Sequence, residues 1–381
     1  MLLSVCVYTS LAAILFALGW HVWKREEILK ASTGQNLPFC SWEIVLSILV
    51  FAAVAGARYH TGYDHAMYLQ QYFMYQKYGF FTREFEPLFL FITQFFSGAH
   101  FHFFFYFAFW AAIQWFFLCY AVRNNKSLLP WLALYAILGP FFLDWMNTMR
   151  QSVVEAMFVF AIDLIQRRKL LWYLLLVTVG VLLHQSALIL LFCYFIPAIE
   201  IRPKIVLPIM SVSVIIGTFT FWSKGLDVFS SLLHNYGYSR YDDLFVAITT
   251  GANHPMNWGP VRIVNLLIPC VIVLFNNKVK SFYAHDKLYP YYVLMVVIWF
   301  CVSNVLINTA YFMTRPFEFF KIFILIANAY LLAYLYQNRY RWLFLGWLAI
   351  SCCNLYFDLI KSHFFPIREN IPFMYNFFFC S

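Results

Sequence analysis

Four polar side chains stand at the ends of apolar runs, and their chemistry suits binding an anion and moving a proton. Arg150 opens the run "MRQSVVEAMFVF", His184 and Gln185 separate two runs in "VLLHQSALIL", and Arg315 lies in "MTRPFEFFK". Ionisable groups at membrane level are costly and usually face a cavity or a partner. Arginine binds phosphate oxygens with a planar, permanently charged fork, and histidine titrates near neutral pH. These residue types favour a site for an anionic substrate.

The composition predicts a polytopic membrane protein of all-α class. Of 381 residues, 63% are hydrophobic and only 11% are charged, which exceeds what a soluble core could use. The formal net charge of +9 is scattered in short clusters between apolar runs, which argues against a nucleic-acid surface. The nine cysteines form no CxxC pair, so neither a metal site nor a disulfide framework is indicated, and no cofactor is expected.

About twelve apolar runs approach the length of roughly 20 residues that spans a bilayer. We read the chain as one transmembrane domain, 1–381, with about 12 transmembrane helices. The runs centre on 3–20, 42–58, 102–122, 128–145, 148–166, 170–183, 186–200, 203–222, 260–276, 288–306, 317–337 and 342–360.

The basic residues of the short loops choose the orientation, because Lys and Arg in such loops stay on the cytoplasmic side. With the N-terminus outside, the inner loops receive "KREEILK", "RNNK", "QRRK", "IRPK", "NNKVK" and "NRYR". This requires residues 86–122 to cross only once, so "EPLFLFITQFF" is predicted as a helix along the outer interface with its proline in the first turn.

This topology places two longer polar segments outside, within 59–101 and 223–259. The first carries Asp64, Tyr68 and Glu86 among many tyrosines, and the second carries Arg240 and Tyr241 in "YSRYDDL". Arg150, His184 and Arg315 fall at the same outer level. The pattern predicts a polar, aromatic-lined cavity with several cations at its floor, at the depth where a lipid diphosphate sits.

Each of these residues also has a simpler interpretation. Arg150 could extend to the outer headgroups or pair with Asp144 or Glu155. His184 could cap two helices, and Asp64 could be a turn residue or Glu86 a helix-start residue, since carboxylates favour helix N-termini. The recurrence of three arginines and a histidine at one level favours the functional interpretation.

The ordered set of motifs resembles the EpsG family, a Wzy-like group of bacterial membrane proteins that polymerise exopolysaccharide, capsule or O-antigen repeat units. The resemblance runs through "GYDHAMYLQQY", "FEPLF", "MRQSVVEAMFVFAIDLIQRRK", "LLHQSALIL", "YSRYDD" and "MTRPFEFF", which cover most of residues 55–325. This chain has "EPL" where the family typically has a glycine-rich "EPG".

The resemblance implies a metal-independent glycosyltransferase in the bacterial cytoplasmic membrane, with its site facing outward. Donor and acceptor would be oligosaccharides on undecaprenyl diphosphate, and the partners would be the bilayer and the flippase and chain-length regulator of the same pathway. Arg150 and Arg315 would hold the donor diphosphate, and His184 would be the base, with Asp64 or Glu86 as the rival. The implied substrate-binding residues are Asp64, Tyr68, Glu86, Gln151, Arg240 and Tyr241.

Three other functions use similar residues. An O-antigen ligase uses the same donor and is the hardest to separate from a polymerase. A flippase or transporter of lipid-linked sugars also needs cations and aromatic residues, but such proteins commonly carry paired repeats and polar groups at mid-membrane. A membrane acyltransferase would need polar residues at the inner face, where this chain offers only loop charges.

The orientation gives a direct prediction. Cysteines introduced at Asn125 and Asn277 should be shielded from an impermeant thiol reagent in intact cells, whereas cysteines at Gln76 and Asn253 should react, because only the latter lie in predicted outer segments. The unmodified chain supplies the background. Labelling in the opposite pattern would overturn an outward-facing site.

Overall fold

The structure, a computed structural model, describes residues 1–62, 64–218, 258–307, 314–364 and 374–377. In these ranges every regular element is helical, so the predicted all-α class is confirmed. The helices are α1 Leu2–Thr33, α2 Trp42–Gly56, α3 His65–Tyr78, α4 Pro87–Gly98, α5 Phe103–Ala121, α6 Leu129–Leu138, α7 Phe142–Asn147, α8 Met149–Gln166, α9 Leu170–Leu183, α10 Leu190–Cys193, α11 Pro203–Thr218, α12 Pro260–Phe282, α13 Tyr289–Val305, α14 Ile322–Gln337 and α15 Arg341–Phe364.

Several of these helices suit a bilayer. Among the described residues, 5 helical segments are long and apolar enough to span a membrane: Leu2–Thr33, Phe103–Ala121, Pro260–Phe282, Arg315–Gln337 and Arg341–Ile360. Shorter apolar helices of 10–17 residues, including α2, α9, α11 and α13, accompany them. The chain is therefore a multi-pass membrane protein, and the count of about twelve spans stays a prediction.

The chain forms two compact units, Met1–Ile196 with Asn328–Ser381, and Pro197–Ala327. In the first unit α8 is buried along nearly its whole length. Helix α5 packs against both α2 and α8, and α1 packs against α2 and α6. Gly19 permits the α1–α6 approach, because a Cβ there would lie 2.8 Å from the backbone nitrogen of Pro130.

Two predicted spans in this unit are interrupted. The run 128–145 divides into α6 and α7 at Gly139 and Pro140, since proline lacks the N–H that would continue the helix. The run 186–200 is a 3-10 turn, Gln185–Ile189, followed by the single turn of α10. This segment nevertheless packs alongside α9. The hydroxyl of Tyr173 in α9 donates to the carbonyl of Leu190 at 2.5 Å and holds it there.

The segment before α4 contains a helix that the sequence analysis did not predict. Helix α3 ends where Gly79 adopts a left-handed conformation with φ 75°. Gln71 of α3 then holds the following turn, since its side chain accepts a bond from the Thr82 N–H at 2.9 Å and donates to the Thr82 hydroxyl at 2.6 Å. Helix α4 begins at Pro87 with Glu86 as its N-cap, as the proline predicted.

An ion-pair cluster closes the end of α8 opposite to Arg150. Asp163 accepts bonds from Arg123, which follows α5, and from Arg167, both at 2.8 Å. Arg150 and Asp163 are thirteen residues apart on one helix, about 20 Å at 1.5 Å per residue. The charges that the sequence analysis used only as topology signals therefore also join helix ends.

The second unit packs α11 against α12 and α13. Gly217 of α11 meets the backbone of Asn304 so closely that a Cβ at position 217 would lie 1.8 Å from the Asn304 carbonyl oxygen. Asn304 also accepts a bond from the Arg262 side chain. Arg315 begins a 3-10 turn, Arg315–Phe320, that packs against α13 and precedes α14.

Candidate functional site

Three helix termini of the first unit bring together side chains that lie far apart in the sequence. Glu86 is the N-cap of α4, with extended backbone angles that direct the chain into Pro87. Arg150 is the second residue of α8. His184 is the C-cap of α9, where an extended conformation turns the chain into the following 3-10 turn. Each residue is fixed by the backbone change at the end of its helix.

The carboxylate of Glu86 connects the other two residues. Its Oε2 accepts from Nη1 of Arg150, and its Oε1 lies 3.4 Å from Nδ1 of His184. The same Oε1 accepts from the backbone N–H of Gln185 at 3.0 Å. The side chains of Glu86 and Arg150 are each 17% exposed and that of His184 is 15% exposed, and both ring nitrogens of His184 are buried, so the cluster is largely shielded.

Aromatic rings surround the guanidinium of Arg150. It lies 4.8 Å from the ring centre of Phe85 and 5.2 Å from that of Phe89. Nε of Arg150 also donates to the hydroxyl of Tyr68 at 3.4 Å. Such contacts hold the planar group in one orientation and reduce its access to water. The side chain is therefore built into the protein, which a mere headgroup anchor would not require.

Glu86 stays ionised in this setting. Burial disfavours its charge, but hydrogen bonds from His184 and from the Gln185 N–H, together with the positive charge of Arg150, lower the pKa of Glu86 to about 2. A carboxylate of such low pKa is a poor proton acceptor near neutral pH. Glu86 is thus suited to positioning its neighbours.

The other predicted residues of the first unit lie near this cluster or are turned into the protein. Asp64 is the N-cap of α3, and it interacts electrostatically with the buried Tyr68. Gln151 is buried, and its amide donates to Glu155 at 3.3 Å. Arg150 thus pairs with Glu86, whereas the simpler interpretation had offered Asp144 or Glu155.

The remaining predicted residues belong to the second unit or lie outside the described residues. Arg315 is exposed at the start of the 3-10 turn of the second unit. Arg240 and Tyr241 lie outside the described residues. Within the described ranges, no three His, Cys, Asp or Glu side chains are grouped as metal ligands. Of the arginines predicted for the site, the described part of the first unit contains Arg150, which is paired with Glu86.

Sequence reasoning missed a second polar group nearby. Arg58 is buried, and its guanidinium carbon lies 5.3 Å from the ring centre of Phe107. The His65 ring stacks on the same Phe107 ring, with 4.6 Å between the two ring centres. Burial lowers the pKa of His65 to about 2, so this imidazole is neutral at physiological pH. Arg58 directly follows an apolar run, a position typical of an interfacial anchor, and nothing in its spacing indicated burial.

A short piece of the C-terminal segment supports this region. Tyr375 is buried, and its hydroxyl donates to the carbonyl of Val54 at 2.6 Å. The N–H of Tyr59 donates to Asn376 at 2.8 Å, and the hydroxyl of Thr61 donates to Met374 at 3.1 Å. The C-terminal segment therefore holds the chain between α2 and α3 through these hydrogen bonds.

The model of one known protein family covers most of the chain. The model of the EpsG family matches residues 42–374, which includes the whole Glu86, Arg150 and His184 cluster. The chain belongs to the EpsG family. No curated protein and no solved structure matches this EpsG-family protein. The match agrees with a membrane protein of polysaccharide-polymerase type and does not itself name a donor.

The pairing of Glu86 predicts a pH-dependent stability. In Glu86→Gln, Arg150 and His184 lose a charged partner, so unfolding should become easier by about 1 to 3 kcal/mol near pH 7. The folded pKa of about 2 lies below the ordinary value of 4.5, so the wild-type advantage is present above pH 4.5 and is lost as the pH falls towards 2. Thermal unfolding of purified protein in detergent measures it. An unchanged difference down to pH 3, or none at pH 7, would contradict the pairing.

Proposed function

We propose that this EpsG-family protein polymerises lipid-linked oligosaccharide repeat units on the outer face of the bacterial cytoplasmic membrane. The donor is the growing glycan on undecaprenyl diphosphate, and the acceptor is one repeat unit on a second such lipid. The observation that carries the proposal is the convergence of Arg150 and His184 on Glu86. It puts an anion-binding group and a proton acceptor side by side, as this transfer requires.

Arg150 is assigned to the donor diphosphate. A guanidinium has five N–H donors, and its partners Glu86 and Tyr68 use two of them. Glu86 balances the charge of Arg150, so binding of the diphosphate depends on the guanidinium N–H groups that Glu86 and Tyr68 do not use. In a partly dehydrated site their charge-assisted hydrogen bonds are strong. Arg315 and Arg240 are proposed to add positive charge towards the same substrates.

The reaction needs one proton transfer and one leaving group. The acceptor hydroxyl forms a bond to the anomeric carbon of the donor sugar, and the bond from that carbon to the lipid diphosphate breaks. The diphosphate leaves with the bonding electrons and is stabilised by Arg150. The hydroxyl proton passes to the ring nitrogen of His184 that does not face Glu86, while the carboxylate stabilises the imidazolium that forms.

The aromatic and acidic residues around Tyr68 are assigned to the sugars. Asp64 interacts electrostatically with Tyr68, and Tyr68 contacts Arg150. A carboxylate accepts bonds from sugar hydroxyls. We therefore assign Asp64 to a hydroxyl of the first sugar after the diphosphate, and the buried Tyr68 to holding Arg150 beside that sugar.

Arg150→Lys tests the proposal. Lysine keeps the charge but loses the fork that binds paired oxygens, so the polymerisation rate should fall about a hundred- to a thousandfold at near-normal protein abundance. Purified protein with synthetic lipid-linked repeat units measures this rate. Arg341→Lys, an exposed position at the start of α15, is the matched control.

Three outcomes would contradict the proposal. A wild-type rate in Arg150→Lys would return Arg150 to the role of anchor. Transfer of the glycan to a lipid acceptor without chain growth would identify a ligase. Movement of the lipid-linked unit across the membrane without bond formation would identify a flippase.

A further inference from the structure

An apolar groove of about 580 Å³ opens on the side of the first unit between α4, α5, α8 and α9. All the side chains that line it are aliphatic, aromatic or methionine. Val153, Met157 and Leu183 are buried at its floor, whereas the wall residues Leu88, Ile92 and Val179 are half-buried. The volume lies within the usual range of small-molecule sites. The half-buried walls show that the groove is open to the surface of the unit.

The groove begins where the polar cluster ends. Leu183 directly precedes His184, Leu88 follows Glu86 by two residues, and Val153 lies one helical turn beyond Arg150. One turn of helix is about 5 Å. All three elements that supply the polar cluster therefore continue into the walls or floor of the groove.

An aromatic pair joins the two regions. Phe89 lies 5.2 Å beneath the guanidinium of Arg150, and its ring is 5.4 Å from that of Trp110, a groove residue. Both rings are buried, so one aromatic layer lies behind Arg150 and continues behind the groove. The protein changes from charged to wholly apolar within one side chain of this layer.

We propose that the groove holds the first isoprene units of the polyprenyl chain whose diphosphate lies at Arg150. The inference rests on the proposed function. Such a substrate has a compact anionic head joined directly to a branched apolar chain, and the site has a cation followed by an apolar groove in the same order. The first isoprene units lie next to the hydrated diphosphate, and the groove shields their apolar surface from that water. Because the groove is open and its lining is wholly apolar, a lipid chain can enter it without crossing a polar surface.

A photo-cross-linking experiment tests the occupant. Benzoylphenylalanine replaces Ile113 in the groove wall or, as the control, Leu174 on an exposed face of α9 outside the groove. The protein is placed in phosphatidylcholine and phosphatidylglycerol vesicles with radiolabelled undecaprenyl diphosphate. We expect labelling at Ile113 that unlabelled undecaprenyl diphosphate reduces by at least about tenfold and that additional phosphatidylglycerol leaves unchanged.

A filling variant gives a second measurement. Val179→Trp should raise the KM for the long-chain donor by about tenfold or more, and should raise the KM for a donor with a single isoprene unit much less, because one unit fills only the start of the groove. Leu174→Trp is the matched control and should change neither. Equal KM increases for both donors would overturn the inference.

The outcomes separate this inference from the proposed function. Labelling at Ile113 that equals Leu174, or that phosphatidylglycerol removes, shows ordinary bilayer lipid and overturns the groove assignment even if the protein polymerises. Specific labelling without any polymerisation supports the groove assignment and contradicts the polymerase. A cross-link from position 113 to a second copy of the chain would assign the groove to an oligomer interface and overturn the lipid assignment.

Discussion

The end of the first unit at which α4, α8 and α9 meet depends on the carboxylate of Glu86. A cation held among aromatic rings is costly unless an opposite charge compensates it, and Glu86 supplies that charge to Arg150. The second oxygen of the same carboxylate reaches His184 and the Gln185 backbone. Three helix termini are thereby connected through one residue. Loss of that residue would leave two polar groups without their partner.

The same carboxylate gives the site its chemical character. Because its pKa is about 2, Glu86 stays charged throughout the physiological range, and it can orient an imidazole and steady an imidazolium. Arg150 retains donors for a ligand while its position is fixed by Phe85, Phe89 and Tyr68. In the proposed reaction, Arg150 stabilises the leaving diphosphate and His184 takes the proton. The apolar groove begins one helical turn away, so the proposed head and tail sites are continuous.

The sequence predicted the individual members of this site better than their partnership. Arg150, His184 and Glu86 each stand at the border of an apolar run, which is an unusual position for an ionisable group and is visible without a structure. The Glu86 carboxylate also binds the Gln185 N–H, 99 positions away along the chain, and no local pattern encodes such a contact. Asp144 and Glu155 were the nearer candidates for Arg150 in the sequence, and the fold selected neither.

The helices show the same division. Pro87 marked the start of α4. The break between α6 and α7 lies at Gly139 and Pro140, two residue types that interrupt helices and are visible in the sequence. Helix α3 was missed because its tyrosines and glutamines form no apolar run. The burial of Arg58 depends on Phe107 and on the C-terminal segment near Tyr375, both distant in sequence.

The central claim is that Glu86 and His184 act as one unit, and a double-mutant cycle on polymerisation tests it most directly. Rates are measured for wild type, Glu86→Gln, His184→Gln and the double variant with synthetic lipid-linked repeat units. If Glu86 acts in part through His184, the double variant loses less activity than the product of the two single losses, since coupled residues are non-additive. Losses that multiply would show that the two side chains act independently, and would contradict the account.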